Sequence, residues 1–582
     1  MSSGDLPYWT KRRRIRADVS KCLNIVKATQ QKQGLPLADD IGHDDDHDVG
    51  SFSHKLSGDA PGTGSVFDLG FHEQCVGFQG DEALSAVCDL SEDESECIAQ
   101  AFFVDDVNNE ENLQFDRLLD TDRLEAAREC DDIDNESASE CEDEEVVDGE
   151  LLASELRNWA TLFNIPLLAL NGLLSVLKVF HPNLPKDSRT LLKTPVRYDI
   201  KDVQGGSYHH FGVIDSLSSL LTNANDVCRD VDGFWLQVSI DGLPLFKSSS
   251  VQLWPIVGMV VKPFVSDPFL IGLYCGEKKP GSVDEYLHDF VQEMQVLERG
   301  PVFIPVCNRE VSVHISCFVC DAPARAFVKN VKGHSGYHGC EKCTQKGVYE
   351  KKVIFPEVTA ASRTDVAFNE MSDVNHHHGP SPLHGLASIG LVSQFPLDFM
   401  HMVCLGVTRR LLLCWVKSPV SKGLRLGSRG IAMISERLVL YKNFIPREFS
   451  RQCRPLADLE RWKATEFRQF LLYSGVVALK GELPDKLYRH FLLLFVAIFC
   501  LASPTLYTTH AMYAKDLLIY FVAEAGRLYG QDFLVYNVHG LVHLADDVKT
   551  FGPLDRYSAF PFENFLCSLK SLLFWGSIGL QG

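Results

Sequence analysis

The sequence predicts an α/β protein: a mixed sheet flanked by helices, interrupted by a large α-helical insertion and preceded by a disordered acidic N-terminal region. Three observations carry this. Between residues 234 and 319, three strand-like runs are followed by an amphipathic helix and a fourth strand. Residues 346–535 carry mainly helical apolar patterns, and residues 1–150 lack periodic apolar positions and end in CEDEEVVDGE.

The N-terminal region accounts for the charge. Residues 91–150 hold 24 Asp and Glu against Arg117, Arg123 and Arg128, so the whole net charge of -21 falls there and the other residues sum to zero. A chain rich in Gly, Ser, Asp and Glu with few apolar anchors cannot offset its ordering entropy and stays disordered. The neutral remainder leaves room for local basic faces that bind phosphates. Within the tail, Lys11, Arg12, Arg13, Arg14 and Arg16 read either as a nuclear-localisation or DNA-contacting arm or as a solvated charged segment.

No apolar stretch follows these basic residues, so the start is not a secretory signal. The longest strongly apolar run, residues 491–502, falls short of the roughly 20 residues that span a bilayer and reads as a buried helix. These features predict a protein inside the cell with no membrane partner. The 18 Cys lack a disulfide framework spacing, which fits reduced thiols.

From residue 151 the pattern turns helical. Leu152, Leu156, Trp159 and Leu162 recur on one face, Asn164-Ile165-Pro166 interrupts, and residues 167–180 resume. Residues 151–200 thus predict a helical pair, with Lys186, Arg189 and Lys193 after it, that is either an ordinary hairpin or helix-turn-helix-like.

The first part of the core spans residues 230–345. Phe234, Leu236, Val238 and Ile240 alternate with polar residues, a half-buried strand ending at Asp241. Apolar runs at 254–261 and 269–275 read as central strands, giving a three-stranded meander. Ser282 and Glu285 form a capping box for a helix with apolar Leu287, Phe290, Met294 and Leu297, stopped at Gly300. Val311, Val313, Ile315, Cys317 and Val319 make a fourth strand leading to Asp321. Three strands, a helix and a fourth strand open an RNase H-like core.

The acids suggest chemistry. Two-metal phosphodiester cleavage needs carboxylates holding two Mg2+ (or Mn2+) ions about 4 Å apart, and neighbouring strands lie under about 5 Å apart. Asp241 and Asp321, at adjacent strand ends, meet that need, although strand-end Asp residues are commonly turn formers. Glu563 is the third candidate. It falls in the first turn of a helix begun at Ser558 and Pro561, with Phe562, Leu566, Leu569 and Leu573 as its buried stripe; a dipole-favoured acid is the plainer explanation.

The blocks FWLQVSIDGLPLFKSSSVQLWPIVG, FPLDFMHMVCLGV and NVHGLVHLADDVKTFGPLDRYSAFPFENFLCSLK resemble those of CACTA (EnSpm)-type transposases, including animal transposase domain-containing proteins. The resemblance covers roughly residues 150–575. It implies a DDE nuclease acting on double-stranded DNA in the nucleus, cutting transposon ends and joining them to target as a homo-oligomer. Its acids fall on Asp241, Asp321 and Glu563. A domesticated, catalytically silent DNA-binding descendant is the alternative, as is an adaptor working through its acidic tail. The family normally continues well beyond the Glu helix, so a shortened C-terminus is expected.

Between Asp321 and Glu563 lie 241 residues, so an insertion must leave the core and return in residues 536–582. Cys340 and Cys343 form a Gly-flanked knuckle, and His539 and His543, four apart, share a helix face; together they make a structural Zn2+ set. His334 or His338 is an alternative ligand. The arrangement resembles that of RAG-type recombinases. Cys317 and Cys320, on opposite strand faces, read as core thiols, and residues 376–378 as a loop. Asp398 and His401 match a D-x-x-H motif of this broad group, which suggests a place beside the active site; a helix-start Asp and a buried His are the plain reading. Lys247, Arg325, Lys329 and Lys332 are candidate phosphate contacts.

Overall fold

The computed structural model describes residues 152–157, 159–160, 165–194, 199–221, 231–246, 249–419 and 423–578. The acidic tail, its basic cluster and Lys247 lie outside them. Helix α1 (Leu167–Leu177) begins after Ile165-Pro166, and residues 152–157 and 159–160 are also helical. Leu170, Leu174, Leu184 and Leu191 form its small buried core.

The main sheet contains β1 (Lys201–Val203), β2 (Gly206–His210), β3 (Gly233–Ile240), β4 (Leu243–Pro244), β5 (Gln252–Lys262), β6 (Phe269–Gly276), β7 (Val302–Ile304) and β8 (Arg309–Phe318). Their order is β1-β2-β6-β5-β3-β8-β7, with β4 paired to β5. The expected meander is the antiparallel run β3-β5-β6. The fourth expected strand is β8, which lies parallel to β3. A parallel neighbour needs a crossover, and here it contains the helix Val283–Leu297.

Helix α2 (Val213–Leu221) precedes β3, and α3 (Val283–Leu297) links β6 to β7. Ser282 caps α3 by accepting a hydrogen bond from Glu285 N at 3.2 Å, but this is only half of the expected capping box: Glu285 Oε2 accepts from Gln204 N at 2.8 Å instead. Its Tyr286, Leu287, Phe290 and Met294 are buried in the main core with Phe234, Leu236 and Val238. The β1-β2 hairpin and β7 leave no mark in the sequence pattern, because short strands of mixed polarity carry little periodic signal.

β3 departs from expectation in one respect. Alternation predicts a half-buried strand, yet Gln237 and Ser239 on its polar face are buried too. The returning chain covers that face: Gln237 Nε2 donates to Arg556 O at 2.9 Å.

After β8 come α4 (Ala322–Val328), the Cys knuckle, and a helical region containing a π-helical segment Met400–Thr408 that continues into α5 (Arg409–Lys417). Helices α6 (Asp485–Ala502) and α7 (Tyr507–Tyr529) pack together and contain the apolar run at 491–502. No helix among the described residues is long and apolar enough to cross a membrane. The chain returns through α8 (Tyr536–Gly540), α9 (Leu544–Phe551) and α10 (Phe560–Ile578).

Candidate functional site

Two clusters of potential metal ligands occur among the described residues. The first depends on strand register. Val238 of β3 pairs with Phe318 of β8 in the parallel ladder; Asp241 and Asp321 each lie three residues further on, so both emerge at the same sheet edge. Asp321 caps α4, its Oδ1 accepting from Ala324 N at 2.7 Å. Asp241 Oδ1 accepts from Gly242 N at 2.6 Å.

Glu563 reaches this edge from the first turn of α10. A donor atom from each of Asp241, His401 and Glu563 lies within 4.8 Å of the others. Burial, then the charges of Asp321 and Glu563, push the Asp241 carboxyl up to about 8. Acids brought this close resist joint ionisation unless positive charge joins them.

With no cation bound, His401 supplies one such charge as an imidazolium. Its Nε2 lies 3.5 Å from Glu563 Oε1, and its Nδ1 lies 2.7 Å from Asp398 Oδ2. Burial opposes its protonation, but the hydrogen bonds to Asp398 and Glu563 outweigh that and drive it up to about 11. Asp398 is buried; burial would raise its pKa, yet the bond to His401 holds it below the ordinary range. Its Oδ2 also accepts from His401 N, and its Oδ1 from Ala559 N, both at 2.7 Å. Asp398 is therefore both a helix-start acid and the support of two segments of the site. The signal for its second role, a bond to a backbone 161 residues away, was absent from the local pattern.

The second cluster joins Cys340, Cys343, His539 and His543. Cys343 Sγ lies 3.5 Å from Cys340 Sγ and 3.2 Å from His539 Nε2. His543 Nε2 lies 3.6 Å from Cys340 Sγ and 3.3 Å from His539 Nε2. Around a tetrahedral ion with zinc–sulfur bonds of about 2.3 Å and zinc–nitrogen bonds of about 2.05 Å, the corresponding separations are about 3.8 Å for S–S, 3.6 Å for S–N and 3.3 Å for N–N. Each observed distance agrees within about 0.4 Å on that geometry, so the donor set fits zinc.

The two His do not share one regular α-helix as expected. The chain tightens from α8 into a 3-10 turn at Leu541–His543, which still brings their rings together. Neither His334 nor His338 joins the set: His334 packs edge-on against Tyr536, and His338 faces Asp373 at 3.6 Å. Cys317 and Cys320 are buried thiols; burial raises both, Cys320 to about 12. Residues 376–378 form a loop, within which His376 is buried and its Nδ1 lies 2.7 Å from His338 O.

Arg325 and Lys329 lie in the interior, away from the surface position a phosphate contact requires. Both are buried with Glu341, the residue after Cys340. Arg325 Nε donates to both Glu341 oxygens at 2.9 Å and Lys329 Nζ to Oε2 at 3.1 Å. Tyr536 OH accepts from Arg325 Nη2 at 3.0 Å and donates to Glu341 Oε1 at 3.1 Å. Burial alone would raise Glu341, but Arg325 and Lys329 hold it at about 2. Spacing Arg325 and Lys329 four apart puts them on one helix face; their partner is an acid within the knuckle, Glu341, which no local pattern connects to them. Lys332 remains partly exposed.

A second, part-buried pair reinforces the return. Lys342 Nζ contacts Asp547 Oδ1 at 2.6 Å, while Asp547 Oδ2 accepts from Leu397 N at 2.8 Å. The helix bearing His539 also approaches the π-segment bearing His401 closely: a Cβ on Gly406 would lie 2.5 Å from Asn537 Nδ2. The two clusters thus share supporting segments. No family model matches the chain, and no curated protein matches it either.

Proposed function

We propose that this protein is a CACTA-type DNA transposase, cutting and joining DNA strands at a DDE centre of Asp241, Asp321 and Glu563 on an RNase H-like core. The observation that carries the reading is the assembly of acids from β3, the start of α4 and α10 at one sheet edge, where Asp241 is pushed up to about 8 by burial and then by Asp321 and Glu563. Such a centre is short of positive charge. Two divalent cations, Mg2+ or Mn2+, would polarise the scissile phosphate, activate the attacking water or 3'-hydroxyl and stabilise the leaving oxygen.

The protein's own residues orient and hold. Asp321 has one oxygen engaged as the α4 cap, which fixes the carboxylate's direction. Asp398 secures the chain just before α10, and hence the placement of Glu563. The zinc cluster and the Glu341 ion cluster tie the start of the insertion to its return, so a Glu remote in sequence stays beside the two Asp. Strand order β6-β5-β3-β8, with β3 and β8 parallel, supports the RNase H-like assignment. Double-stranded DNA is the substrate on this reading, with a nuclear setting and an oligomer that pairs two element ends.

The test is metal-dependent cleavage of duplexes carrying the flanking inverted repeats. Wild type should cut and rejoin; Asp241→Ala, Asp321→Ala and Glu563→Ala should each lose activity. Equal activity in all four refutes the mechanism, and binding without any cleavage favours a silent descendant.

A further inference from the structure

We infer that His401 is a nitrogen ligand of a cation at the carboxylate centre, oriented by Asp398, and that this mixed nitrogen and oxygen set favours a first-row transition ion such as Mn2+ over Mg2+. The inference rests on the reading of Asp241 and Glu563 as cation-binding acids.

The spacing comes first. A ring nitrogen of His401 and a carboxylate oxygen from each of Asp241 and Glu563 lie within 4.8 Å of one another, and His401 Nε2 is the nitrogen that faces Glu563. Donors sharing an octahedral ion at about 2.1 Å stand about 3 Å apart when adjacent and about 4.2 Å when opposite. The His401–Glu563 separation of 3.5 Å lies in that interval. It exceeds the roughly 2.7–2.9 Å of a close charge-assisted hydrogen bond, so the cation-free contact is long, and a divalent cation takes the place of the Nε2 proton, which is released to solvent.

Orientation comes next. His401 Nδ1 is committed to Asp398 Oδ2 at 2.7 Å, which leaves Nε2 directed towards Glu563. A metal-bound imidazole commonly has its other nitrogen held by a carboxylate in this way, which sets its tautomer and raises its donor strength. Asp398 is 2% exposed and held by two backbone N–H groups besides the ring, a rigid outer support.

The segment itself is also constrained. His401 lies in the π-helical turn Met400–Thr408, a backbone form frequent at functional sites, and Gly406 seats this turn against Asn537. Mg2+ strongly prefers oxygen donors, whereas first-row transition ions accept imidazole. A histidine in the set therefore turns selectivity towards the latter.

The test uses the full-length chain loaded with zinc and titrated with Mn2+. Pulsed electron paramagnetic resonance on protein grown with ordinary and with 15N-labelled histidine should show a directly bound histidine nitrogen, and the signal should vanish in His401→Gln. Asp398→Asn should weaken Mn2+ binding about 10- to 100-fold. The wild-type isotope comparison stands even if a variant fails to fold. Mn2+ bound without nitrogen coupling, or coupling that persists in His401→Gln, overturns the His401 assignment while leaving the carboxylate centre intact. Absence of Mn2+ binding overturns both. Equal competition by Mg2+ refutes the selectivity.

Discussion

Removing zinc should separate the returning chain from the core. The perturbation is Cys340→Ser with Cys343→Ser, which deletes both sulfur donors and leaves His539 and His543. The four donors fit a tetrahedral ion within about 0.4 Å, so little rearrangement is needed for full binding. Structural zinc in small peptides contributes about 10–16 kcal/mol of apparent folding free energy, comparable with the roughly 5–15 kcal/mol total stability of a typical domain. One zinc per chain is therefore expected by elemental analysis, with two sulfur and two nitrogen neighbours by X-ray absorption. The double variant should lose the metal, and amide exchange should accelerate at residues 333–345 and 536–543. Unchanged zinc content, or unchanged protection in metal-free protein, would refute the clamp.

Other predictions concern buried charge and acid stability. Glu341→Gln should destabilise the protein by about 3–5 kcal/mol, because Arg325 and Lys329 stay buried without their counter-charge; a urea midpoint indistinguishable from wild type would show that water reaches the cluster. His490, stacked on Phe521, is lowered by burial from 6.5 to about 4. The unfolded state takes up this proton first as the medium is acidified. Its contribution is thus present above pH 6.5 and lost as pH falls through about 4, by about 3 kcal/mol on 1.36 kcal/mol per pH unit. Stability curves of wild type and His490→Gln should differ in slope across that window, and parallel curves would contradict the assignment.

Local pattern made much of this molecule readable. Alternation in β3, the Ser282 cap of α3 and the apolar run in α6 all arise from interactions within a few residues, so periodicity exposed them. The knuckle spacing and the pair His539 and His543 were likewise visible as metal-ligand chemistry. Resemblance, rather than physics, selected Glu563 from among many acids at helix starts.

What only tertiary structure decided is which distant groups meet and which face is covered. Register between β3 and β8 sets Asp241 beside Asp321, and the return of residues 536–578 buries the polar face of β3 and brings His401 against Glu563. The same folding turns Arg325 and Lys329 inward onto Glu341. Charge and burial at these positions depend on neighbours up to hundreds of residues away along the chain; a sequence pattern records only residue types and short-range order.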